Sequence, residues 1–313
     1  MIKSYNLNQS PLYRINSHKK LSSVLGVKSS SVLTKIVSKS DNNYYLSKVD
    51  DRDIQVPLNQ LRRIHKRIDS LLRRIEQPDY LYSGVKGRSN VLNARVHDNN
   101  YNVLKLDIKS YYQSVSKDQV ARCFISVFKC SQDVAKTLSE ICTYNNHIPT
   151  GSPVSLSLSM AVNRPVFDHI HKHSHSRNIR FSCYVDDLSF SGKVIPLSFR
   201  DYIVYYLKKS RGYECHKIRS YNPSTPKKIT GVVLTKNGLK VMNRHRSTIS
   251  SLLNDRKRIL KNNKKDDELT INFYQKLIGH LFSAGQINGR YKQLGRILVN
   301  ERKLYSIPAC NKK

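Results

Sequence analysis

Two adjacent carboxylates stand between two apolar segments of this sequence. Asp186 and Asp187 separate residues 181–185 from residues 188–190, a pattern that predicts two short strands folded around an acidic tip. Neighbouring carboxylates repel each other, and Asp is a poor strand residue. One Asp would suffice for a turn, so the pair indicates a divalent cation with oxygen ligands.

A third carboxylate extends this interpretation. Asp107 lies near the end of the apolar run 103–108, which predicts a buried strand that could bring Asp107 close to the pair. Three carboxylates that converge on metal ions are typical of two-metal phosphoryl transfer, in which the ions lie ~3.5–4 Å apart. Acidic hairpin tips also occur as plain turns, so the acids by themselves leave both interpretations open.

The charge of the chain indicates the kind of substrate. Its 313 residues include 55 Lys and Arg against 22 Asp and Glu, a formal net charge of +33. Such a body repels itself unless a polyanion neutralises it, and nucleic acid is favoured over a membrane surface. No apolar run approaches the length of a membrane span, and residues 1–9 lack the apolar stretch of a secretory signal. Acids and charge together indicate a nucleic-acid polymerase or nuclease.

Local patterns predict the elements that must position the acids. Ser116 and Gln119 form a capping box, Pro57 suits a first helical position, and Asn237-Gly238 is a strong hairpin turn. Helices are predicted within 11–37 and over 58–75, 116–128, 131–144, 199–209 and much of the last 70 residues, and strands over 44–49, 103–108, 181–190, 228–234 and 239–241. This order favours an α+β fold over an alternating parallel sheet.

Three further clusters have ordinary interpretations. Four alternating histidines lie within 169–175, but no Cys or carboxylate stands at ligand spacing, which favours a polar helix end or loop over a metal site. The six cysteines show no C-x-x-C spacing and are interpreted as reduced thiols of a cytosolic protein. The lysine-rich run 261–265 is interpreted as a loop.

Five segments in register resemble motifs of reverse transcriptases. Residues 184–187 are similar to the Y-x-D-D box, 107–115 to the first catalytic motif, and 148–155 to the L-P-Q-G-x-P-x-S segment. Residues 93–97 match the N-A-x-x-H motif and 229–231 resemble the V-T-G motif of bacterial retron reverse transcriptases. One four-letter match is weak, but five in order are specific, and the resemblance covers about residues 44–240.

The resemblance implies a right-hand polymerase fold of the α+β class, with fingers, a palm built on an antiparallel sheet, and a helical thumb. N-terminal helices and fingers would occupy residues 1–100. The palm would occupy 101–242, with an interleaved fingers segment at about 116–150. The basic helical thumb would occupy 243–313.

The resemblance also implies roles for individual residues. Asp107, Asp186 and Asp187 would be catalytic and, with the backbone carbonyl of Ile108, would hold two Mg²⁺ ions, Asp187 less directly. The implied nucleotide-binding residues are Arg52, Ser110, Tyr111, Tyr112, Thr150 and Gly151, and the implied contacts to RNA template and primer are Asn93, His97, Tyr184, Thr230 and Gly231.

Several of these roles have a chemical rationale. The Arg52 guanidinium would grip phosphates, and Ser110 and Tyr111 would offer backbone N–H groups to the triphosphate. The ring of Tyr112 would exclude a ribose 2′-OH, with core packing as the alternative. For Asn93 and His97 the resemblance implies contact with structured RNA or a brace for the palm, and the alternative is a satisfied structural pair.

The sequence departs from the family pattern at several positions. Thr150 stands where the family usually has a Gln that touches the nucleotide, and Leu156 replaces a common Pro. Asp50 and Asp51 precede Arg52 in place of basic residues. The general acid for pyrophosphate would be either Lys217 or Arg219.

The implied function is that of a retron reverse transcriptase in the bacterial cytoplasm. It would use dNTPs to copy a cognate structured noncoding RNA, primed from an internal guanosine 2′-OH, into branched RNA–DNA (msDNA). Host RNase H would trim the template, and a separate effector encoded nearby would act with the complex in anti-phage defence. The alternatives are a group II intron-like or diversity-generating reverse transcriptase, and a non-catalytic RNA-binding scaffold.

Overall fold

A computed structural model describes residues 4–38, 40–49, 52–98, 101–262 and 268–303. Within these ranges the chain forms eleven α-helices and nine β-strands. The helices are α1 (His18–Leu25), α2 (Ser30–Ser38), α3 (Asn59–Arg73), α4 (Asn90–Arg95), α5 (Lys117–Ser126), α6 (Gln132–Cys142), α7 (Ser155–His175), α8 (Leu197–Arg211), α9 (Asn243–Asn262), α10 (Glu268–Gly285) and α11 (Gly289–Lys303). The strands are β1 (Tyr44–Val49), β2 (Arg52–Pro57), β3 (Asn102–Ile108), β4 (Arg180–Tyr184), β5 (Asp187–Gly192), β6 (Cys215–Tyr221), β7 (Lys227–Ile229), β8 (Val232–Thr235) and β9 (Gly238–Val241).

The chain packs into two units, each with its own hydrophobic core. The first contains residues 1–89 and 102–220, and the second contains 90–101 and 221–313. These units are groupings by packing and do not test the predicted boundaries of fingers, palm and thumb, which stay a prediction. None of the helices in the described ranges has both the length and the apolar character that a membrane span needs.

The first unit is built around a four-stranded sheet with the order β4-β5-β3-β6. Strand β5 runs antiparallel to both β3 and β4. Strands β1 and β2 form a separate antiparallel hairpin. Helix α3 follows that hairpin and buries the apolar positions predicted from its spacing, among them Leu61, Ile64 and Ile68.

Side chains alternate between the two faces of the four-stranded sheet. Phe181 and Phe190 are cross-strand partners with ring centroids 5.1 Å apart, and Phe190 meets the ring of Phe199 on α8 at 5.4 Å. Helix α8 therefore covers the face that carries these rings. The alternate positions of β3 and β5, including Asp107 and Asp187, belong to the opposite face.

The second unit combines a small meander with helices. Strands β7, β8 and β9 form an antiparallel sheet. Helices α9, α10 and α11 enclose a core that includes Leu277 and Leu281. Arg256 of α9 contacts both Tyr274 of α10 and Glu301 of α11, which ties the three helices together.

The α+β fold class and most predicted elements are confirmed. The strand over 44–49, the strand carrying Asp107 and the acid-tipped strand pair are all present. The capping box is also present, because Ser116 accepts from the Gln119 backbone N–H and the Gln119 side chain accepts from that of Ser116. These elements depend on local periodicity and capping, which a sequence displays directly.

Three details of the prediction are wrong. Pro57 ends β2 instead of opening α3, whose N-cap is Leu58. The predicted strand 228–234 is two strands, because Thr230 and Gly231 turn the chain with φ of 42° and 79°. The β8–β9 turn lies one residue earlier than predicted, since Gly238 already pairs with Thr235. The side chains of 261–265 lie outside the described part of the chain.

Replacement of Ser116 by Ala removes the hydrogen-bond acceptor at the start of α5 and should lower the free energy of unfolding by about 1 kcal/mol. Chemical denaturation measures this change. Ser126→Ala, at the exposed end of the same helix, is the matched control and should change stability by less than about 0.5 kcal/mol. Equal losses in the two variants would contradict a specific role of the cap.

Candidate active site

The register of β3 and β5 brings the three predicted acids together. Asp107 and Asp187 are direct partners across the two strands. The backbone N–H of Ile108 donates to the carbonyl of Asp186 at 3.1 Å, so the tip between β4 and β5 is fastened to the end of β3. The acids that the sequence placed 79 residues apart therefore occupy one end of one sheet.

The backbone of the acidic tip is strained and held from outside. Val185 has φ of 59°, which is unusual for a β-branched residue. Its N–H donates to the Ser83 hydroxyl at 3.0 Å, and the N–H groups of Tyr82 and Cys183 bond to carbonyls of the opposing segment. Such strain persists where surrounding contacts over-determine it and is concentrated at functional sites. Residues 80–83 thus brace the tip, a role the sequence analysis missed.

Burial and the charges of neighbouring acids raise pKa values at the site. Burial, followed by the charge of Asp107, raises the pKa of Asp186, and the charge of Asp187 adds to the effect. Burial also raises the pKa of Asp187, although the neighbouring Lys105 opposes this. No described basic side chain forms an ion pair with Asp186. The charge of Lys105 opposes the rise of the Asp186 pKa, but it does so without an ion pair.

The other two acids have cationic neighbours. Lys105 Nζ lies 2.8 Å from Asp187 Oδ1, outside the angular range of a hydrogen bond, so the contact is an ion pair. Lys217 Nζ lies 3.8 Å from Asp107 Oδ2, and His216 Nδ1 lies 3.4 Å from Asp107 Oδ1. Of the two predicted general acids, Lys217 is the one that lies beside an acid of the site.

The donor chemistry of the site fits a divalent cation. Carboxylate and carbonyl oxygens are the ligands that hard divalent ions prefer, and Asp107, Asp186 and the Ile108 backbone supply them. Yet no three His, Cys, Asp or Glu side chains of the described residues stand at metal-binding spacing. Asp187 is paired with Lys105 instead. The predicted metal site stays a prediction that the chemistry of Asp107 and Asp186 supports.

The segment after β3 places the predicted nucleotide-binding residues in different environments. Ser110 has φ of 48°. Tyr111 is buried, and its hydroxyl accepts from the Asn163 side chain at 3.1 Å, so its ring belongs to the core. Tyr112 is close enough to Asp186 for that charge, after burial, to help raise the pKa of Tyr112 to about 12.

Strand β2 shapes the loop that contains Thr150 and Gly151. The Thr150 N–H donates to Gln55 Oε1 at 3.0 Å, whereas the buried Thr150 hydroxyl has no hydrogen-bond partner among the described residues. A Cβ on Gly151 would lie 2.4 Å from a methyl carbon of Ile54, so only glycine lets the loop pack against β2. Gln55 is buried, a positioning role that sequence reasoning missed.

Two other placements complete the first unit. Arg52 begins β2 and its side chain is exposed, while Asp50 and Asp51 lie outside the described residues. His65 of α3 is buried and contacts the Ser152 hydroxyl at 2.6 Å and the Ile141 carbonyl at 2.8 Å. Burial lowers the pKa of His65 to about 4. His65 is therefore a neutral anchor for the loop, which the sequence analysis did not single out.

The histidine run lies at the end of α7, as one of its two ordinary interpretations stated. His169 stacks on Tyr206 of α8 with centroids 4.2 Å apart, and His173 stacks on Tyr202 at 4.0 Å. Alternation in a helix sends successive histidines to different sides, whereas residues four apart share one side. His169 and His173 therefore pack α7 against α8 through their rings.

In the second unit, the N-A-x-x-H and V-T-G segments meet in a buried network. Asn93 Nδ2 donates to the Thr230 hydroxyl at 3.3 Å, and that hydroxyl donates to the Asn90 carbonyl at 2.8 Å. Asn93 and His97 are 0% and 1% exposed. The two side chains are covered, as the alternative of a structural pair predicts, and their contact with RNA stays a prediction.

The remaining predicted RNA contacts differ in exposure. Thr230 and Gly231 form the two-residue turn between β7 and β8, and their positive φ values are those such hairpins require. The Thr230 hydroxyl is hydrogen-bonded within the buried network, whereas Gly231 is exposed. Tyr184 is half-buried at the acidic tip. Its contact with primer stays a prediction.

With this geometry in place, comparison with known proteins identifies the family. A family model described as reverse transcriptase (RNA-dependent DNA polymerase) matches residues 8–194, more than half of the chain. The chain therefore belongs to the reverse transcriptase family. The predicted right-hand polymerase fold, with its mixture of helices and antiparallel strands, is confirmed.

The similar proteins include retron enzymes. The chain is 30% identical over 194 residues to the Retron Se72 reverse transcriptase of Salmonella heidelberg (strain 579083-10), covering 59% of this chain and 49% of that protein. It is 23% identical over 189 residues to the Retron Ec86 reverse transcriptase of Escherichia coli, covering 59% and 58%. The predicted resemblance to bacterial retron-type reverse transcriptases is confirmed. The chain spans about half the length of these relatives.

Solved structures with a similar fold include two yeast telomerases. Apo telomerase from Candida tropicalis, truncated from its C-terminal domain, aligns with a TM-score of 0.44 and 11% identity over 68% of this chain and 60% of that chain. Telomerase from Candida albicans in complex with a fragment of telomeric RNA aligns with a TM-score of 0.45 and 12% identity over 90% and 62%.

Replacement of Asp186 by Asn should stabilise the protein at neutral pH in the presence of a chelator. Because the pKa of Asp186 is raised in the folded state, its ionised form costs stability above that pKa, and Asn removes the cost. The advantage should disappear as the pH falls and the wild-type carboxyl becomes protonated. Thermal unfolding across pH measures this, with the exposed Asp201→Asn as control. A less stable Asp186→Asn variant at neutral pH would refute the electrostatic argument.

Replacement of Asn93 by Ala should lower the free energy of unfolding by about 1–3 kcal/mol, because the Thr230 hydroxyl loses a buried donor. Chemical denaturation measures the loss, and the exposed Asn272→Ala on α10 is the matched control. If Asn93→Ala left stability unchanged and weakened RNA binding, the result would show that Asn93 contacts RNA directly.

Proposed function

We propose that this protein is an RNA-directed DNA polymerase of the retron type. The observation that carries the proposal is the register of β3 against β5, which sets Asp107 opposite Asp187 and fastens Asp186 to Ile108. Family membership and the retron relatives support the choice of reaction. Reverse transcriptases generally use divalent metal ions, and we propose Mg²⁺ here.

Asp107, Asp186 and the Ile108 carbonyl would hold the metal, with Asp187 as the third acid of the group. Two bound Mg²⁺ ions would supply charge stabilisation for the attacking and leaving oxygens of nucleotidyl transfer. Burial and the repulsion from Asp107, which raise the pKa of Asp186, favour a cation at this point. Lys217, beside Asp107, is the proposed proton donor to the leaving pyrophosphate.

The remaining residues of the first unit would handle the nucleotide. Backbone N–H groups of Ser110 and Tyr111 would bind the triphosphate, and the exposed Arg52 would grip its phosphates. The ring of Tyr112, beside Asp186, would occupy the space of a ribose 2′-OH and so select dNTPs.

The loop before α7 would form another side of the nucleotide site. Gln55 holds the Thr150 backbone, and the close approach of Gly151 to β2 fixes its path. Thr150, which replaces the usual Gln, would contribute to the nucleotide site through its place on this loop, since its hydroxyl is buried.

The biological setting follows the retron relatives. The template and primer would be one cognate structured noncoding RNA, whose internal guanosine 2′-OH starts synthesis and yields branched msDNA. The net charge of +33 is suited to such a polyanion. Host RNase H would act on the template, and the complex would work in the cytoplasm with an effector protein in anti-phage defence. The fingers would occupy residues 1–100 and about 116–150. The palm would occupy 101–242 and the thumb 243–313.

Replacement of Asp186 by Asn should reduce primer extension at least a thousandfold, because a metal-binding carboxylate is lost, while RNA binding remains. Extension of a DNA primer on an RNA template with Mg²⁺ and dNTPs measures activity, and filter binding measures RNA affinity. Asp201→Asn, an exposed change of the same type, should extend normally. Extension by Asp186→Asn at the wild-type rate would refute the assignment of the site.

A further inference from the structure

Lys105 lies inside the sheet, beside the acids. In the register of β3 and β5 it stands opposite Ser189, and Asp187 is its diagonal neighbour. Its Nζ lies 2.8 Å from Asp187 Oδ1, and the two side chains are 17% and 18% exposed. A lysine this covered is uncommon unless it has a charged partner, and Asp187 is that partner.

The position of Lys105 follows from strand alternation. Its neighbours Leu104 and Leu106 are buried on the face covered by α8, so Lys105 belongs with Asp107 to the opposite face. A diagonal partner across an antiparallel pair is within reach of a long side chain. Lys105 therefore meets the acids as a consequence of register.

Lys105 differs from the other cation at the site. Lys217 approaches Asp107 at 3.8 Å but is 60% exposed, so solvent and salt screen this contact and the side chain is free to leave. The side chain of Lys105 is only 17% exposed, so its ion pair with Asp187 is screened less. The charge of Lys105 therefore stays beside the acids, whereas the Lys217 side chain is free to move away into solvent.

The acids are thus unequally compensated. Asp107 and Asp187 face each other directly, an arrangement in which like charges repel. Lys105 neutralises Asp187, while no described basic side chain forms an ion pair with Asp186. The three acids share one end of the sheet, yet they do not form a group at metal-binding spacing.

We propose that Lys105 is a positioning residue that holds Asp187 out of the metal site. It leaves Asp107, Asp186 and the Ile108 carbonyl as the ligands of the protein. This inference rests on the proposed function, because it concerns the divalent cation of that reaction. It explains why Asp187 belongs to the acidic group without acting as a ligand.

The proposal makes a quantitative statement about charge. Lys105 and Asp187 sum to zero, so removal of one of them changes the charge beside the site by one unit, and removal of both leaves it unchanged. A unit charge within several ångströms of a partly buried cation changes its affinity by roughly tenfold or more. The two single variants should therefore move affinity in opposite directions.

Mn²⁺ binding to the full chain, without nucleic acid or nucleotide, tests this by calorimetry or electron paramagnetic resonance. Lys105→Met, which keeps the length of the side chain, should bind Mn²⁺ about tenfold more tightly, because Asp187 is released. Asp187→Asn should bind more weakly, because Lys105 is left unpaired. The double variant should bind within about threefold of wild type. Lys193→Met, an exposed lysine just after β5, is the charge-matched control and should bind within about twofold.

Two results would overturn the proposal. If Asp187 is a ligand, the double variant binds at least about tenfold more weakly than wild type. If Lys105 serves only the stability of the sheet, Lys105→Met binds no more tightly than wild type. Should Lys105→Met fail to fold, the double variant decides alone, since it contains a neutral pair.

Primer extension on the same preparations separates this inference from the proposed function. If the variants follow the predicted order of Mn²⁺ affinities but the wild-type protein synthesises no DNA, the proposed polymerase activity is refuted and the role of Lys105 is retained. If the wild-type protein synthesises DNA but the double variant loses Mn²⁺ affinity, the role of Lys105 is refuted and the proposed polymerase activity is retained.

Discussion

The site depends on one electrostatic constraint: two carboxylates face each other across neighbouring strands. Asp107 and Asp187 are register partners, and Asp186 follows the same turn. Like charges so arranged are destabilising, and burial, together with the charge of Asp107, raises the pKa of both Asp186 and Asp187. The fold tolerates them because packing on the other face of the sheet, around Phe181 and Phe190, is extensive. The repulsion that remains is the property that suits the site to cations.

The backbone around the acids is held in conformations that the chain would not adopt alone. Val185 and Ser110 have positive φ, and the loop at Gly151 lies too close to β2 for any side chain. Contacts from separate parts of the first unit stabilise these geometries, including the Ser83 hydroxyl, the Gln55 amide and the buried His65. Preorganisation of this kind places ligands and substrate groups without movement at the moment of reaction.

The N-A-x-x-H and V-T-G segments are joined inside the second unit. Asn93 and Thr230 lie 137 residues apart and meet in a buried network that joins α4 to the β7–β8 turn. Polar residues in such a network specify how elements pack, because an unpaired buried donor or acceptor is costly. His169 and His173 of α7 similarly serve as rings that pack against α8. In both cases the polar or aromatic group of the side chain is engaged in packing one element against another.

The sequence by itself determined the elements, the α+β class and the identity of the acids. Periodicity, capping and turn residues act over a few positions, so the strand that carries Asp107, the acidic tip and the Ser116 cap could be predicted from local patterns. The five motifs in order also indicated the family. Tertiary structure alone decided the register, because a slip of one residue would send Asp107 to the opposite face of the sheet. It therefore also decided that Lys105 pairs with Asp187, that Gln55 holds Thr150, and that Asn93 is covered, since each of these contacts joins elements distant in sequence.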